Sequence, residues 1–403
     1  MKKILLCSFV FGTLVSCSQT TNDRAASAQQ VETKAPNSAY KPAFPGQTRI
    51  NAVKTKTPYE FKVLTEDLSF PWGIKSLPDG RLIVTEKEAG HLRIVKSNGE
   101  LSKPITGLPA VNNDGQGGLL GIAIDPAFEQ NRMLYWVFAE KVDVGTLTSV
   151  AKGKLSADET KVEGATVIYR ATPGHKGNLH YGGRIEFDKK GNLFVSTGER
   201  SDMVTRPQAQ QLNSSLGKII RITTDGQAVA GNPFEGQNGA KPELYSYGHR
   251  NVQGLAFHPV SGELFSNEFG PRGGDEVNFV RAGKNYGWPV ITYGIEYSGK
   301  KVGEPIQQKE GMEQPVYYWD PSVSPSGMTF YNGDMMSEWK NNLFIGCLSG
   351  THIARLVIEN NKVVGEERLL SEEQQRFRDV TQGKDGTLYA VTDQGRLYRI
   401  SKK

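Results

Sequence analysis

The chain has 403 residues, of which 23% are charged and 37% hydrophobic, and its formal net charge is +5. An excess so small and so dispersed argues against nucleic acid as a partner. Of the three cysteines, Cys7 and Cys17 fall in the N-terminal leader, which leaves Cys347 with no intrachain disulfide partner.

The leader, MKKILLCSFVFGTLVSCSQTTN, sets two lysines before an apolar run and small residues before a cysteine. It reads as a secretory signal over residues 1–16, too short to span a bilayer stably. LVSC resembles the lipobox of bacterial lipoproteins, which implies cleavage before Cys17 and lipidation of that residue. Ser18 follows where an Asp would favour the inner membrane, so the expectation is an outer-membrane lipoprotein facing the periplasm. Residues 17–58 are rich in Ser, Thr, Ala, Gln, Asn and Pro, the composition of a flexible tether that packs against nothing.

From Tyr59 onward one pattern recurs: an apolar strand, a turn carrying Asp or Gly, and a second apolar strand. It runs PWGIKSLPDGRLIVTE, GLLGIAIDPAFEQNRMLYWVF, GGRIEFDKKGNLFVSTGE, VQGLAFHPVSGELFSNEFG, SGMTFYNGDMMSEWKNNLFIGCL and RDVTQGKDGTLYAVTDQG. Several units lead into another short strand, such as GHLRIV or GRLYRI. Radially repeated sheets of three or four strands make a propeller, which protects sheet edges by repetition. The expectation is an all-β, six-bladed β-propeller over residues 59–403.

The third unit raises a question of chemistry. HYGGRIEFDKKGNLFVSTGE begins at His180 and ends at Glu199. If the DKKG turn centres between Lys189 and Lys190, these two residues face each other across the ladder, with Cα atoms about 4.5–5.5 Å apart. A histidine oriented by a carboxylate is what a general base needs. The plain alternative is a solvated histidine at a strand end. His175, His249 and His258 have no partner visible in the sequence and read as structural or exposed. GQGGLLG puts Leu120 where a dinucleotide loop wants glycine, and HExxH, CxxC and GxSxG are absent, which removes support for zinc hydrolysis, thiol redox chemistry and the serine-hydrolase elbow.

HYGGR, DGQGGLLGIAIDP, YGHRNVQGLAFHP, NEFGPRGGDEVNFVRAGKNYGWP and RFRDV occur in this order. Together they closely resemble the soluble glucose and aldose sugar dehydrogenases that depend on pyrroloquinoline quinone (PQQ), the glucose/sorbosone dehydrogenase-like family. The resemblance runs from about Tyr59 to Ile400 and implies a six-bladed propeller. It places His180 at the catalytic base and Glu199 at the acid that orients it. Gln116 matches a polar residue near quinone and base, and Arg250 and Asn251 match the pair at the cofactor's reactive end. Gly270 and Pro271 match residues whose carbonyls bind an active-site Ca²⁺, a hard ion suited to oxygen. Glu276 and Tyr286 match ligands of a second, structural Ca²⁺. Arg376 and Arg378 match arginines that grip cofactor carboxylates. Trp319 matches an aromatic stacked over the quinone, although YYW is more often blade packing than a cofactor lid. One departure is Ser349, in GCLSG, where the resemblance calls for a lysine at a cofactor carboxylate.

The activity implied is oxidation of the anomeric C1 hydroxyl of an aldose to a lactone. His180 would take the proton while hydride passes to the quinone, and Arg250 and calcium would stabilise the developing negative charge. The rival readings are a calcium lactonase-like propeller hydrolase and a non-catalytic binding propeller. The electron acceptor is specified by none of these residues.

Overall fold

The computed structural model describes Met1 and residues 29–403, so the signal segment, Cys7 and Cys17 lie outside the described residues. The chain opens its regular structure with β1 (Tyr59–Thr65) and then lays down one sheet after another. Blade one is β2 (Pro71–Ser76), β3 (Leu82–Glu86) and β4 (His91–Val95). Blade two is β5 (Leu119–Ile124), β6 (Met133–Val142), β7 (Gly145–Leu155) and β8 (Val162–Arg170). Blade three is β9 (Ile185–Phe187), β10 (Leu193–Ser196), β11 (Lys218–Ile222) and β12 (Leu244–Tyr247). Blade four is β13 (Val252–Phe257), β14 (Leu264–Glu268), β15 (Asp275–Val280) and β16 (Tyr317–Trp319). Blade five is β17 (Pro325–Phe330), β18 (Leu343–Cys347), β19 (His352–Glu359) and β20 (Lys362–Leu369). Blade six is β21 (Phe377–Gln382), β22 (Leu388–Thr392) and β23 (Leu397–Lys402), completed by β1.

The protein is thus the expected six-bladed β-propeller, and each repeated unit of the sequence supplies the two inner strands of a blade. β1 pairs antiparallel with β23, Tyr59 facing Lys402. The two ends of the domain therefore close the ring through one sheet, which removes the gap an open array would leave. Among the described residues the only α-helix is the four-residue turn Phe128–Asn131.

The apolar interior is divided into wedges between neighbouring blades. One wedge joins Ala123, Tyr135 and Val150 of blade two to Ile185, Leu193 and Ile220 of blade three. Another joins Phe344 and Ile353 of blade five to Val380 and Leu388 of blade six. This explains the second strand of a blade, which is covered on both faces. Every residue of β3, β10, β14, β18 and β22 is buried, so these strands read as short apolar runs and not as alternating patterns.

Toward the axis the blades converge and space is lost. A methyl group placed on Gly121 would lie 2.4 Å from the Gly183 carbonyl oxygen, and one on Gly327 would lie 1.7 Å from Asp379 Oδ1. The inner strands β2, β5, β13, β17 and β21 each carry a register shift against their partner. Such bulges bend a strand and re-aim its side chains, and they fall where the inner strands approach the cavity.

The expected tether behaves differently. Residues 29–58 are packed along the outer edges of blades four and five. Asp320 accepts the backbone N–H of Asn37 at 2.7 Å and the Ser38 hydroxyl at 2.9 Å. Glu32 pairs with Arg368 at 2.8 Å, and Thr55 donates to Glu367 from both its N–H and its hydroxyl. Val53 N–H donates to the Glu366 carbonyl of the edge strand β20 at 2.9 Å. The segment is held by polar contacts and backbone pairing, which its composition does not reveal. Asp320→Ala removes the acceptor for Asn37 and Ser38, each bond to a charged group being worth about 1.5–3 kcal/mol. Amide exchange at residues 37–40 should accelerate at least tenfold while β18 and β22 keep their protection; unchanged exchange there would show that the docking does not depend on Asp320.

Candidate active site

The DKKG turn is one residue longer than the sequence suggests. Asp188 N–H donates to the Asn192 carbonyl at 2.9 Å, Gly191 N–H donates back to Asp188, and Gly191 takes φ +80°. This three-residue loop with a left-handed glycine centres the hairpin on Lys190. Leu193 then faces Phe187 and Val195 faces Ile185, a register that does not place His180 opposite Glu199. Past Ile185 the ladder breaks: Gly183 N–H and the Arg184 carbonyl both bond Ser196, and Gly182, Gly183 and His180 all have positive φ. The extra residues curl inward and bring the imidazole Nδ1 to 2.6 Å from Glu199 Oε1. The two residues meet through a bulge, not through cross-strand opposition.

A non-glycine residue at φ +47° is strained, by roughly 1–3 kcal/mol, so its surroundings must hold it. Gln116 Oε1 accepts the His180 N–H at 2.9 Å. Gly198 lets the His180 carbonyl pass, since a methyl group there would lie 2.2 Å from that oxygen. Arg200 is buried, donates to the Leu179 and Gly177 carbonyls at 3.0 and 2.6 Å, and lies 3.8 Å from the centre of the Tyr181 ring. Both flanks of His180 are therefore fixed. The imidazole is only 6% exposed. Its pKa is lowered to about 4, chiefly by burial and then by the nearby Arg250 charge, with Glu199 opposing. A carboxylate can only accept, so Nδ1 carries the proton and Nε2 keeps a free lone pair.

Next to this dyad lies a cavity of about 640 Å³, a size suited to a small organic ligand. Gln116, Tyr181 and Gly182, which surround His180, line it, as do Trp72, Gln253 and Tyr297. Arg376 and Arg378 line the same cavity and share one buried carboxylate, Asp393, at 2.9 and 2.8 Å. Their charges hold the Asp393 carboxyl below its ordinary value against the opposing effect of burial.

Arg250 lines a second cavity, and Phe269 lines both. The Arg250 N–H donates to Glu268, Nη1 donates to the Phe269 carbonyl at 3.1 Å, and the guanidinium lies 5.1 Å from the Trp288 ring centre. Arg250 Nε and Asn251 Nδ2 are buried without a partner, while Asn251 Oδ1 accepts the Gly182 N–H at 3.0 Å. The second cavity, of about 10 Å³, is lined by Arg250, Glu268, Gly270, Glu276 and Tyr286, room for about one water-sized sphere. Glu276 is pushed well up by burial and by the Glu268 charge. Asn278 donates to both carboxylates, at 3.3 and 3.1 Å. His249 donates from Nδ1 to Glu268 at 2.9 Å and stacks on Tyr286, so this histidine has a partner that the sequence did not show. Asp275 is buried and accepts the N–H groups of Gly270, Val323 and Ser324, which fixes the Gly270–Pro271 loop.

Trp319 is placed elsewhere. It is 2% exposed, packs against Tyr317 in the wedge between blades four and five, and donates from its indole to Glu366 at 3.2 Å. It cannot stack over a ligand in the cavity; its role is blade packing. Sequence reasoning also passed over Glu268, Arg200, Asp393 and Lys87. Glu268 had a readable signal, as an acid closing the buried run LFSNE. A lysine or aspartate at a strand end carries none, because such residues are ordinarily solvated.

The chain matches the family described as glucose/sorbosone dehydrogenase over residues 68–399. It is 42% identical over 346 residues to the aldose sugar dehydrogenase YliI of Escherichia coli (strain K12), covering 85% of this chain and 92% of that protein. The crystal structure of the soluble aldose sugar dehydrogenase of Escherichia coli in the apo-form superposes with a TM-score of 0.82 at 41% identity, covering 86% of this chain and all 100% of that one. The PQQ-bound form of the aldose sugar dehydrogenase of Streptomyces coelicolor superposes with a TM-score of 0.71 at 29% identity, covering 86% of this chain and 99% of that one. By its match, its fold and the order of its motifs, the chain belongs to the glucose/sorbosone dehydrogenase family.

Proposed function

We propose that the protein is a PQQ-dependent aldose sugar dehydrogenase that oxidises the anomeric hydroxyl to a lactone. The observation that carries this reading is a neutral His180, held by the Glu199 carboxylate, beside a cavity that Arg376 and Arg378 also line. The residues present fit the cofactor. PQQ is a planar tricarboxylate, and Arg376 and Arg378 offer guanidinium forks held by only one carboxylate. Arg250 Nε and Asn251 Nδ2 are buried without a partner next to His180, donors left over from the fold itself. When bound, PQQ supplies the two-electron acceptor that no side chain provides.

The chain's own residues do the rest. His180 Nε2 takes the proton of the sugar C1 hydroxyl as that carbon is oxidised. Glu199 fixes the tautomer and stabilises the imidazolium that results. Arg250 places positive charge near the oxygen on which negative charge develops. Tyr297, 72% exposed at the cavity, offers a sugar an aromatic face at the mouth. Calcium belongs to this reading as well. The Gly270 and Pro271 carbonyls are the candidate donors to an active-site ion, and Glu276 and Tyr286, which line the small cavity with Glu268, to a second, structural one. Among the described residues no three acidic, histidine or cysteine side chains form a cluster, so carbonyls must complete any calcium shell. The LVSC sequence supports anchoring through Cys17 on the periplasmic side of the outer membrane.

His180→Ala should lower kcat by about 10²–10⁴ with PQQ still bound, since only the proton acceptor is lost. Glu199→Gln should cost less. The low pKa of His180 means that it is neutral at pH 7, and the acid limb of kcat/KM should fall toward pH 4 and not near pH 6.5. The sign for stability agrees: the unfolded histidine binds its proton first, so the contribution is full above pH 6.5 and is lost as pH falls toward 4. Near-normal turnover of His180→Ala would refute the base assignment.

Calcium at 100 times its dissociation constant should stabilise the fold by about 2.7 kcal/mol. A chelator should lower Tm of the wild type, and Glu276→Gln should abolish that calcium-dependent increment. An increment retained in Glu276→Gln would remove this residue from the shell.

Cys17→Ala should abolish labelling by a fatty-acid probe and release the protein into the soluble fraction. Persistent membrane association of that variant would overturn the lipobox assignment.

A further inference from the structure

The charge on the cavity wall is out of balance. Four ionisable side chains that carry charge at neutral pH line it: Lys87, Arg376, Arg378 and the single acid Asp393. Both arginines already share that acid. Lys87 does not reach it. Its ammonium donates to the Gly115 carbonyl at 3.0 Å and lies 5.5 Å from the centre of the Phe70 ring. It is 7% exposed, and burial, joined by the Arg378 charge, pulls its pKa down against the weaker opposing pull of Glu88 and Asp393. A buried ammonium with one neutral acceptor and a like charge nearby is costly unless an anion joins it.

Its backbone holds it there. Lys87 N–H donates to the Phe70 carbonyl at 3.0 Å and its own carbonyl accepts the Leu119 N–H at 2.8 Å. The side chain therefore enters the cavity from the end of β3, on blade one. The opposite situation holds at Ser349. That residue is exposed, its hydroxyl is 2.8 Å from the Ser324 hydroxyl, and the neighbouring lining residues Ser324 and Leu348 bring no charge. The cation that the family resemblance calls for after β18 is missing from blade five, and a cation is present on blade one.

We propose that Lys87 is the third carboxylate-binding cation of the cofactor pocket and takes the part left vacant at Ser349. The inference rests on the PQQ reading and extends it to a residue of a different blade. A positive group can serve a multiply charged planar ligand from more than one side of its rim, because the Coulomb attraction is not directional; only the hydrogen-bond geometry must be rebuilt. The lysine's three donors allow this, since one goes to Gly115 and two are free to turn toward an anion.

The test is binding of PQQ itself, read by titration calorimetry on the calcium-loaded protein, without turnover. Lys87→Met should weaken PQQ binding by about 10- to 100-fold, the range for loss of one charge-assisted contact. The trimethyl ester of PQQ, which lacks the charges, should bind Lys87→Met and wild type alike. Adding Ser349→Lys to Lys87→Met should recover at least part of the lost affinity for the acid. Equal weakening of acid and ester would mean that Lys87 merely props the Gly115 loop and would overturn the inference. Wild-type affinity in Lys87→Met would overturn it too, leaving the cofactor reading intact. A wild-type protein that binds no PQQ would bring down both.

Discussion

The site depends on one ion pair that crosses the propeller axis. Arg184, at the inner edge of blade three, reaches Asp379 on blade six at 2.6 Å, and both side chains are almost fully buried. Asp379 also accepts the Ile74 N–H of blade one at 3.0 Å, and Arg184 Nε donates to the Gln253 carbonyl of blade four at 3.0 Å. Four of the six blades are tied at this point. The guanidinium lies 4.3 Å from the centre of the Trp72 ring, and Trp72 and Gln253 line the main cavity. The pair is therefore part of the cavity's foundation. Removing one partner would strand a buried charge, at a cost of about 3–5 kcal/mol. Gly327 has no side chain because Asp379 occupies that space.

Above that foundation the catalytic geometry follows from crowding. Inner strands that must pass close to one another cannot keep a regular ladder, and the bulges that result turn side chains toward the cavity. His180 is the extreme case. It leaves the hairpin in a left-handed conformation and is held by Gln116, Arg200 and the gap at Gly198. A base fixed in this way loses little entropy in reaction, and its burial keeps it neutral and ready to accept a proton.

The sequence disclosed the fold well because each blade buries its second strand on both faces. Runs such as LIVTE and LFIGC, set between turn residues and repeated six times, leave few other architectures. The dyad was legible as a pair of residue types at the ends of one unit, but its supposed geometry was not: the turn holds one more residue, and the real contact is made by a bulge that no alternation pattern encodes. The packed segment 29–58 was illegible for a related reason. Its anchors are single carboxylates on distant blades, Asp320 and Glu367, and composition reports apolar burial, not long-range polar docking. Trp319 shows the converse, since an aromatic in a loosely matched motif is more often packing than ligand contact.

The same division applies to electrostatics. Charges that balance locally, as Arg184 and Asp379 do, stabilise the frame and are finished when the chain has folded. Charges that do not balance define the site: the arginine pair sharing one acid, the ammonium of Lys87 with a single carbonyl, and the adjacent acids Glu268 and Glu276. The excess is positive in the main cavity, while the small one gathers two acids beside a single arginine, Arg250. The positive excess is tolerable alone only at a cost in folding free energy, and it is relieved by an anion. An anion held against Lys87, Arg376 and Arg378 would therefore stabilise the fold through its binding free energy, while Arg250, on the wall of the small cavity, adds to burial in keeping His180 neutral.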